Sequence, residues 1–171
     1  MTFRLYDEYS FFYLHWIKNV EKSILNDPES NYWQTRSGSQ KWKIWAGYAF
    51  ETICLKHIPF IKKALGISGV ITREYSWNIA SSKKSKGTQI DLLFDRSDNV
   101  ISVCEIKCHS TEFKIDKQYA EILKNKINSI VKKTGTNKSL FLVMITINGV
   151  VQNKYYQELV DNEITLKDFF N

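Results

Sequence analysis

Proline and glycine are scarce in this chain, 2 and 7 residues of 171, which excludes collagen-like, linker-rich and low-complexity architectures and favours long regular elements. Cysteine is also sparse. Cys54, Cys104 and Cys108 lie inside apolar periodic segments and cannot all pair with one another, so free buried thiols in a reducing, cytoplasmic compartment are expected. No long hydrophobic run is present: the longest, Leu140–Ile147, is far short of the ~20 residues that cross a bilayer. Arg4, Asp7 and Glu8 stand where a signal peptide needs its apolar core. Neither membrane nor export is expected, and no internal repeat occurs. What is abundant is apolar and aromatic matter, 43% and 14% of the chain, enough to bury a core without disulfides. The length suits a single domain over 1–171, divided into an N-terminal helical extension (1–40), a core (41–147) and a C-terminal extension (148–171). Lysine and arginine number 24 against 18 acidic residues, a net charge of +6 that suits a polyanionic partner but is also common in proteins that never meet one.

Spacing organises the chain. Phe12, Trp16 and Val20 recur at helical intervals, which predicts a helix over about 7–25, and Pro28 among turn formers breaks it. The polar stretch Gln34–Gln40 reads as a loop or seam. A second helix is predicted from Gln40 to Leu65, apolar on most sides and central, with Pro59 kinking or ending it and Gly66 stopping it. The period then changes to two: Val70–Ile79, Thr88–Arg96 and Val100–Cys108 read as strands, the last two a hairpin across Ser97-Asp98-Asn99. Asp116–Lys133 returns to helical spacing, with Tyr119, Ile122, Leu123, Ile127 and Ile130 on one face, Asp116 as N-cap and Gly135 as stop. Lys138–Ile147 is a strand buried on both faces, followed by a turn at Asn148-Gly149 and a short final element. The expected class is α/β with a mixed central sheet.

The chemistry concentrates in the hairpin. Alternation sends Ile90, Leu92 and Phe94 to one face and Gln89, Asp91 and Leu93 to the other, while Glu105 and Lys107 share a face. A three-residue turn that pairs Arg96 with Val100 sets Asp91 directly opposite Glu105. Like charges at that separation repel and drive one carboxyl to keep its proton, so something must compensate. A hard divalent cation does so, leaving Lys107 to hold or deprotonate water. The plainer reading is a solvated Glu105–Lys107 surface pair. Glu51 has Gly47, Tyr48, Cys54 and Leu55 around it on a helical net, an apolar stripe in which a carboxylate needs a partner; a nearby Tyr or Lys at the rim of the core would also serve. His15 and His57 sit in aromatic or apolar helices and read as packing residues. Cys104 and Cys108 fall on the face opposite Glu105 and read as core thiols.

Glu51 on an early helix, Asp91 in a Gly-x-x-Ile-Asp strand start and Glu105-Ile106-Lys107 on the next strand resemble the motif of the PD-(D/E)XK nuclease superfamily. The resemblance implies a restriction-endonuclease-like αβββαβ core, metal-dependent hydrolysis of DNA, and Mg²⁺ or Mn²⁺ held by Asp91, Glu105 and the carbonyl of Ile106. It also implies a catalytic Lys107, an auxiliary acidic role for Glu51, and a contribution from Gln118, Tyr119 or Lys126 on the following helix, although Tyr119 also suits the core. Nucleic-acid contacts are expected from Lys83, Lys84 and Lys86 in the loop before Asp91 and from Gln118, Lys126 and neighbouring lysines.

The runs Phe3–Tyr13, Trp45–Glu51, Ile61–Val70 and Ile164–Phe170 are similar to the C-terminal nuclease-like portion of prokaryotic AAA-type ATPases. The P-loop of those proteins has no counterpart: Gly135-Thr-Asn-Lys-Ser139 lacks the second glycine and precedes a strand instead of following one. A split gene product or a free-standing relative that hydrolyses no ATP is therefore expected. The alternative to a nuclease is a non-catalytic module of the same fold that binds DNA or a P-loop ATPase; a purely structural interaction domain stands behind both. Dimerisation is left open, with Trp33 and Trp42 as candidate partner-covering residues.

Overall fold

The structure is a computed structural model that describes residues 7–79 and 87–170, with Asn78 and Ile79 as backbone only. Lys83, Lys84 and Lys86 lie outside the described residues, as does the start of the Phe3–Tyr13 run. Two compact units make up the chain, residues 1–52 and 53–171, the division falling within one helix.

The first unit is helical and aromatic. Asp7 caps α1 (Glu8–Phe12) by accepting the Ser10 amide at 2.6 Å, and the chain then widens into a π-helical turn, Tyr13–Ile17. Two further helices follow, α2 (Lys22–Asn26) and α3 (Tyr32–Ser37). The continuous helix expected over 7–25 is therefore broken. The π turn seats the buried Trp16 against Trp42 at 5.1 Å and edge-on to Trp45 at 5.9 Å, so ring packing overrides the simple helical period. The expected loop at Gln34–Gln40 is corrected as well: its first half completes α3, which Trp33 anchors by stacking on Phe12. Ser39 then accepts the Trp42 amide and starts α4 (Gln40–Lys56).

The helix predicted to reach Leu65 stops at Lys56, and α5 (Ile58–Ala64) begins afresh after His57. Pro59 explains the break, since it has no N–H to bond the carbonyl four residues back and its ring crowds that turn; it is tolerated in the first turn of α5. Gly66, at φ 68°, closes that segment as expected. α4, expected to be apolar on most sides and central, buries Phe50 and Cys54 but leaves Ile44 and Tyr48 exposed.

The second unit is built on a five-stranded sheet in the order β1 (Thr72–Ile79), β2 (Thr88–Arg96), β3 (Val100–Lys107), β4 (Ser139–Thr146), β5 (Asn162–Thr165). The first three strands pair antiparallel and the last two join parallel, so the sheet is mixed. Between β3 and β4 runs α6 (Lys117–Thr134), and α7 (Lys154–Leu159) precedes β5. Asp116 caps α6 by accepting the Tyr119 amide at 2.7 Å, and Gly135 ends it at φ 61°. One face of the sheet packs on α6: Ile130 meets Ile90, Leu93, Ile101 and Val103, while Ala120 and Leu123 meet Leu142 and Met144. Ile122, expected on that inner face, is exposed, because the apolar stripe is narrower than the run of apolar residues. Strand β4 is buried on both faces from Leu142 to Thr146, as its unbroken apolar pattern predicts.

Candidate active site

The hairpin register places the site. Leu92 faces Cys104, Leu93 faces Val103 and Asp95 faces Ile101, the register that a turn pairing Arg96 with Val100 requires. Asn99 adopts φ 66° to close that turn, a conformation asparagine tolerates better than most residues.

Strand β2 departs from strict alternation next to the key aspartate. Tyr75 on β1 pairs with Leu93, but Trp77 pairs with Ile90, so β2 carries one extra residue across Asp91–Leu92. This bulge corrects the expected faces: Ile90 and Leu93 pack in the same cluster instead of pointing apart. It also re-aims Asp91. Its Oδ2 accepts the backbone N–H of Ile106 at 3.0 Å, filling an acceptor place next to the ladder with a carboxylate. Asp91 is 8% exposed and Glu105, on the neighbouring strand, 2% exposed.

Three groups converge on Glu105. Lys126 Nζ lies 2.5 Å from Oε2, the Tyr119 hydroxyl donates to Oε1 at 2.5 Å, and Lys107 Nζ lies 2.9 Å from Oε1. The Lys107 ammonium also sits 5.5 Å over the Tyr119 ring. Lys107 keeps 32% of its side chain exposed and Lys126 only 13%, so Lys107 is the cation that reaches solvent.

The two carboxyls are driven in opposite directions. Burial raises the pKa of Asp91 above its usual 3.8, and the nearby Glu105 charge raises it further, against the Ile106 hydrogen bond and the two lysines. Burial works the same way on Glu105, but Lys107, Lys126 and the Tyr119 hydroxyl outweigh it and hold this carboxyl below its usual 4.5. Tyr119 itself is pushed up by burial and by the Glu105 charge, so it remains a hydrogen-bond donor. Burial likewise raises the Cys104 thiol, with Cys54 and Asp91 adding to the effect. Cys104 is a core thiol as expected, whereas Cys108 is half-exposed beyond the end of β3.

Asp91, Glu105 and Lys107 thus come together in one place, and the Ile106 backbone joins them through its N–H. Lys126, expected either at the nucleic-acid surface or as the helix's contribution to the site, turns inward to Glu105. Gln118 is exposed on the first turn of α6, and Lys124 is tied to Glu158 at 2.8 Å. Glu51 is half-buried on α4 in the first unit and is described there by itself. Tyr119 does more than fill the core, and its partnership with Lys126 has a signature in the sequence. The two lie seven residues apart, two turns of one helix face, which makes Lys126 a cation on an otherwise apolar stripe.

No family model, curated protein or solved structure matches the chain. The reading of the site rests on its own chemistry.

A hard divalent cation suits this donor set. The two buried carboxyls are oxygen donors, and the ammonium groups of Lys107 and Lys126 already offset part of their charge. Among the described residues no group of three or more His, Cys, Asp or Glu side chains is placed to hold a metal.

Proposed function

We propose that the chain is a metal-dependent nuclease of the restriction-endonuclease-like fold that hydrolyses phosphodiester bonds of DNA. The observation that carries this reading is the nearness of two buried carboxyls, Asp91 and Glu105, their pKa values driven apart, beside a lysine that reaches solvent. The order helix, three strands, helix, strand supports the fold.

Asp91 and Glu105 would hold Mg²⁺ or Mn²⁺, with the carbonyl of Ile106 as a further donor. Such an ion supplies Lewis-acid polarisation of a phosphoryl oxygen and a more acidic water. The chain's own groups do the rest. Tyr119 orients Glu105 through its hydroxyl, which stays protonated. Lys107 stands at the solvent side of the pair, where its ammonium orients the attacking water and neutralises charge developing on the phosphate. Lys126 balances Glu105 from the helix side.

A second reading also has an observation in its favour. Glu105 is already saturated by two ammonium groups and a hydroxyl, the state of a module that binds DNA or an AAA-type ATPase without cutting. One experiment separates them: purified protein is incubated with linear, circular and branched DNA and with RNA, in Mn²⁺ and in EDTA, beside Asp91→Ala and Lys107→Ala. Cutting of DNA in Mn²⁺ alone, reduced ~10²-fold or more by each substitution, is expected. Cutting that survives both substitutions overturns the proposed site. Metal-dependent thermal stabilisation with no cutting selects the binding module.

A further inference from the structure

A cleft of about 440 Å³ runs between the start of β2 and one face of α6, lined among others by Gln89, Asn125, Lys126, Asn128, Ser129 and Lys132. Its chemistry differs from the rest of that helix. On the neighbouring face Lys124 is neutralised by Glu121 and Glu158, whereas among the described residues no carboxylate lines the cleft. Carboxamides, hydroxyls and two lysines remain: donors and acceptors in both senses, with net positive charge. Ser129 donates back to the Asn125 carbonyl at 2.7 Å, which leaves its oxygen lone pairs free to accept.

Lys126 ties this cleft to the carboxylates. It lines the cleft, and its ammonium lies 2.5 Å from Glu105 Oε2, so this one side chain joins the cleft to the carboxylate pair. A volume of 440 Å³ is that of sites enclosing one small molecule, the size class of a nucleotide. A duplex cannot use such a space: its Watson–Crick base edges are occupied by pairing, and a two-walled cleft does not admit a double helix. Unpaired bases, by contrast, offer those edges to side chains.

We infer that the cleft seats one nucleotide of an unpaired DNA strand, placing the adjacent phosphate at Asp91, Glu105 and Lys107. The carboxamides of Gln89, Asn125 and Asn128 meet the base edge, and Lys132 meets the backbone. This inference rests on the nuclease reading, so its test measures binding apart from cutting. The full chain is titrated in EDTA against a labelled single-stranded DNA oligonucleotide and its duplex, read by fluorescence anisotropy, for the wild type, the double variant Asn128→Ala/Ser129→Ala, and Lys132→Ala.

Expected is single-strand binding about tenfold or more tighter than duplex binding, equivalent to ~1.4 kcal/mol. Both variants should lose about 3- to 10-fold of single-strand affinity, with duplex affinity and the thermal midpoint unchanged, because these side chains lie at the surface. Equal affinity for the two forms, or variants that bind the single strand like wild type, overturns the inference. Single-strand binding that responds to the variants, with no cutting in Mn²⁺, leaves the cleft standing and removes the nuclease. Efficient duplex cutting unaffected by the variants does the reverse.

Discussion

Asp91 ionises at a cost that the unfolded chain does not bear. Its pKa is raised in the folded state by burial and by Glu105, so between 3.8 and the raised value the folded protein holds a proton that the unfolded chain has released. Stability therefore falls as pH rises through that window and stays reduced above it. Asp91→Asn keeps an oxygen for the Ile106 N–H and removes the charge, and is expected to raise the thermal midpoint at pH 7 in EDTA. Relief of about 1 kcal/mol corresponds to about 2–4 °C in a chain of this size. Differential scanning fluorimetry should show that gain shrinking toward pH 4, and Mn²⁺ should stabilise the wild type but not the variant. Glu105 has the opposite sign: its pKa is lowered, so its contribution is present above 4.5 and lost as pH falls through the lower folded value. Lys126→Met removes one of the groups that hold it down, so thermal midpoints followed across the acid range should begin to fall at a higher pH than in wild type. That Asp91 and Glu105 would be neighbours was legible because a three-residue turn sets the register by counting along the hairpin. The re-aiming of Asp91 was not, since the bulge is visible only when β1 is laid against β2.

Element α6 positions two of the three groups on Glu105. Its caps were readable from local chemistry alone: Asp116 before the first turn and Gly135 after the last, the latter in the left-handed region. Asp116→Ala is expected to cost about 1 kcal/mol. Because the lost hydrogen bond is the one that holds the Tyr119 amide, the variant should also weaken the Tyr119–Glu105 contact, read as a changed tyrosine absorbance titration beside the lowered thermal midpoint. The turn before α7 is equally exacting. Gly149 sits at φ 95°, and a Cβ there would lie 2.9 Å from Glu163 Oε1, the atom that accepts the Val150 amide. Gly149→Ala is expected to destabilise by about 1–3 kcal/mol in chemical denaturation. Elements of the first unit were less readable for a physical reason: Trp16, Trp42, Trp45 and Phe12 pack ring against ring, and such contacts select a π turn that no count of helical spacing reveals.

Across the whole molecule, the net charge of +6 coexists with a local concentration of acid at Asp91 and Glu105. These make separable demands on a polyanion. Surface lysines give binding that weakens as salt displaces them, about −0.7 in log–log slope for each single-strand phosphate contact. Lys132→Ala should reduce the measured slope by about that amount, whereas Asp91→Asn should leave the slope alone and tighten binding at every salt concentration. The mixed sheet was legible from strand periods and helix order. Lys126 was marked in the sequence as a cation on the apolar stripe of α6, but the carboxylate it meets was not legible, because that depends on where α6 crosses the sheet. The hydrogen bond from Ile106 to Asp91 carries a spectroscopic consequence. An amide proton donated to a carboxylate resonates according to that carboxylate's charge, so a single backbone signal, followed through an acid titration or a titration with diamagnetic Mg²⁺, would report the occupancy of the centre without any substrate being present.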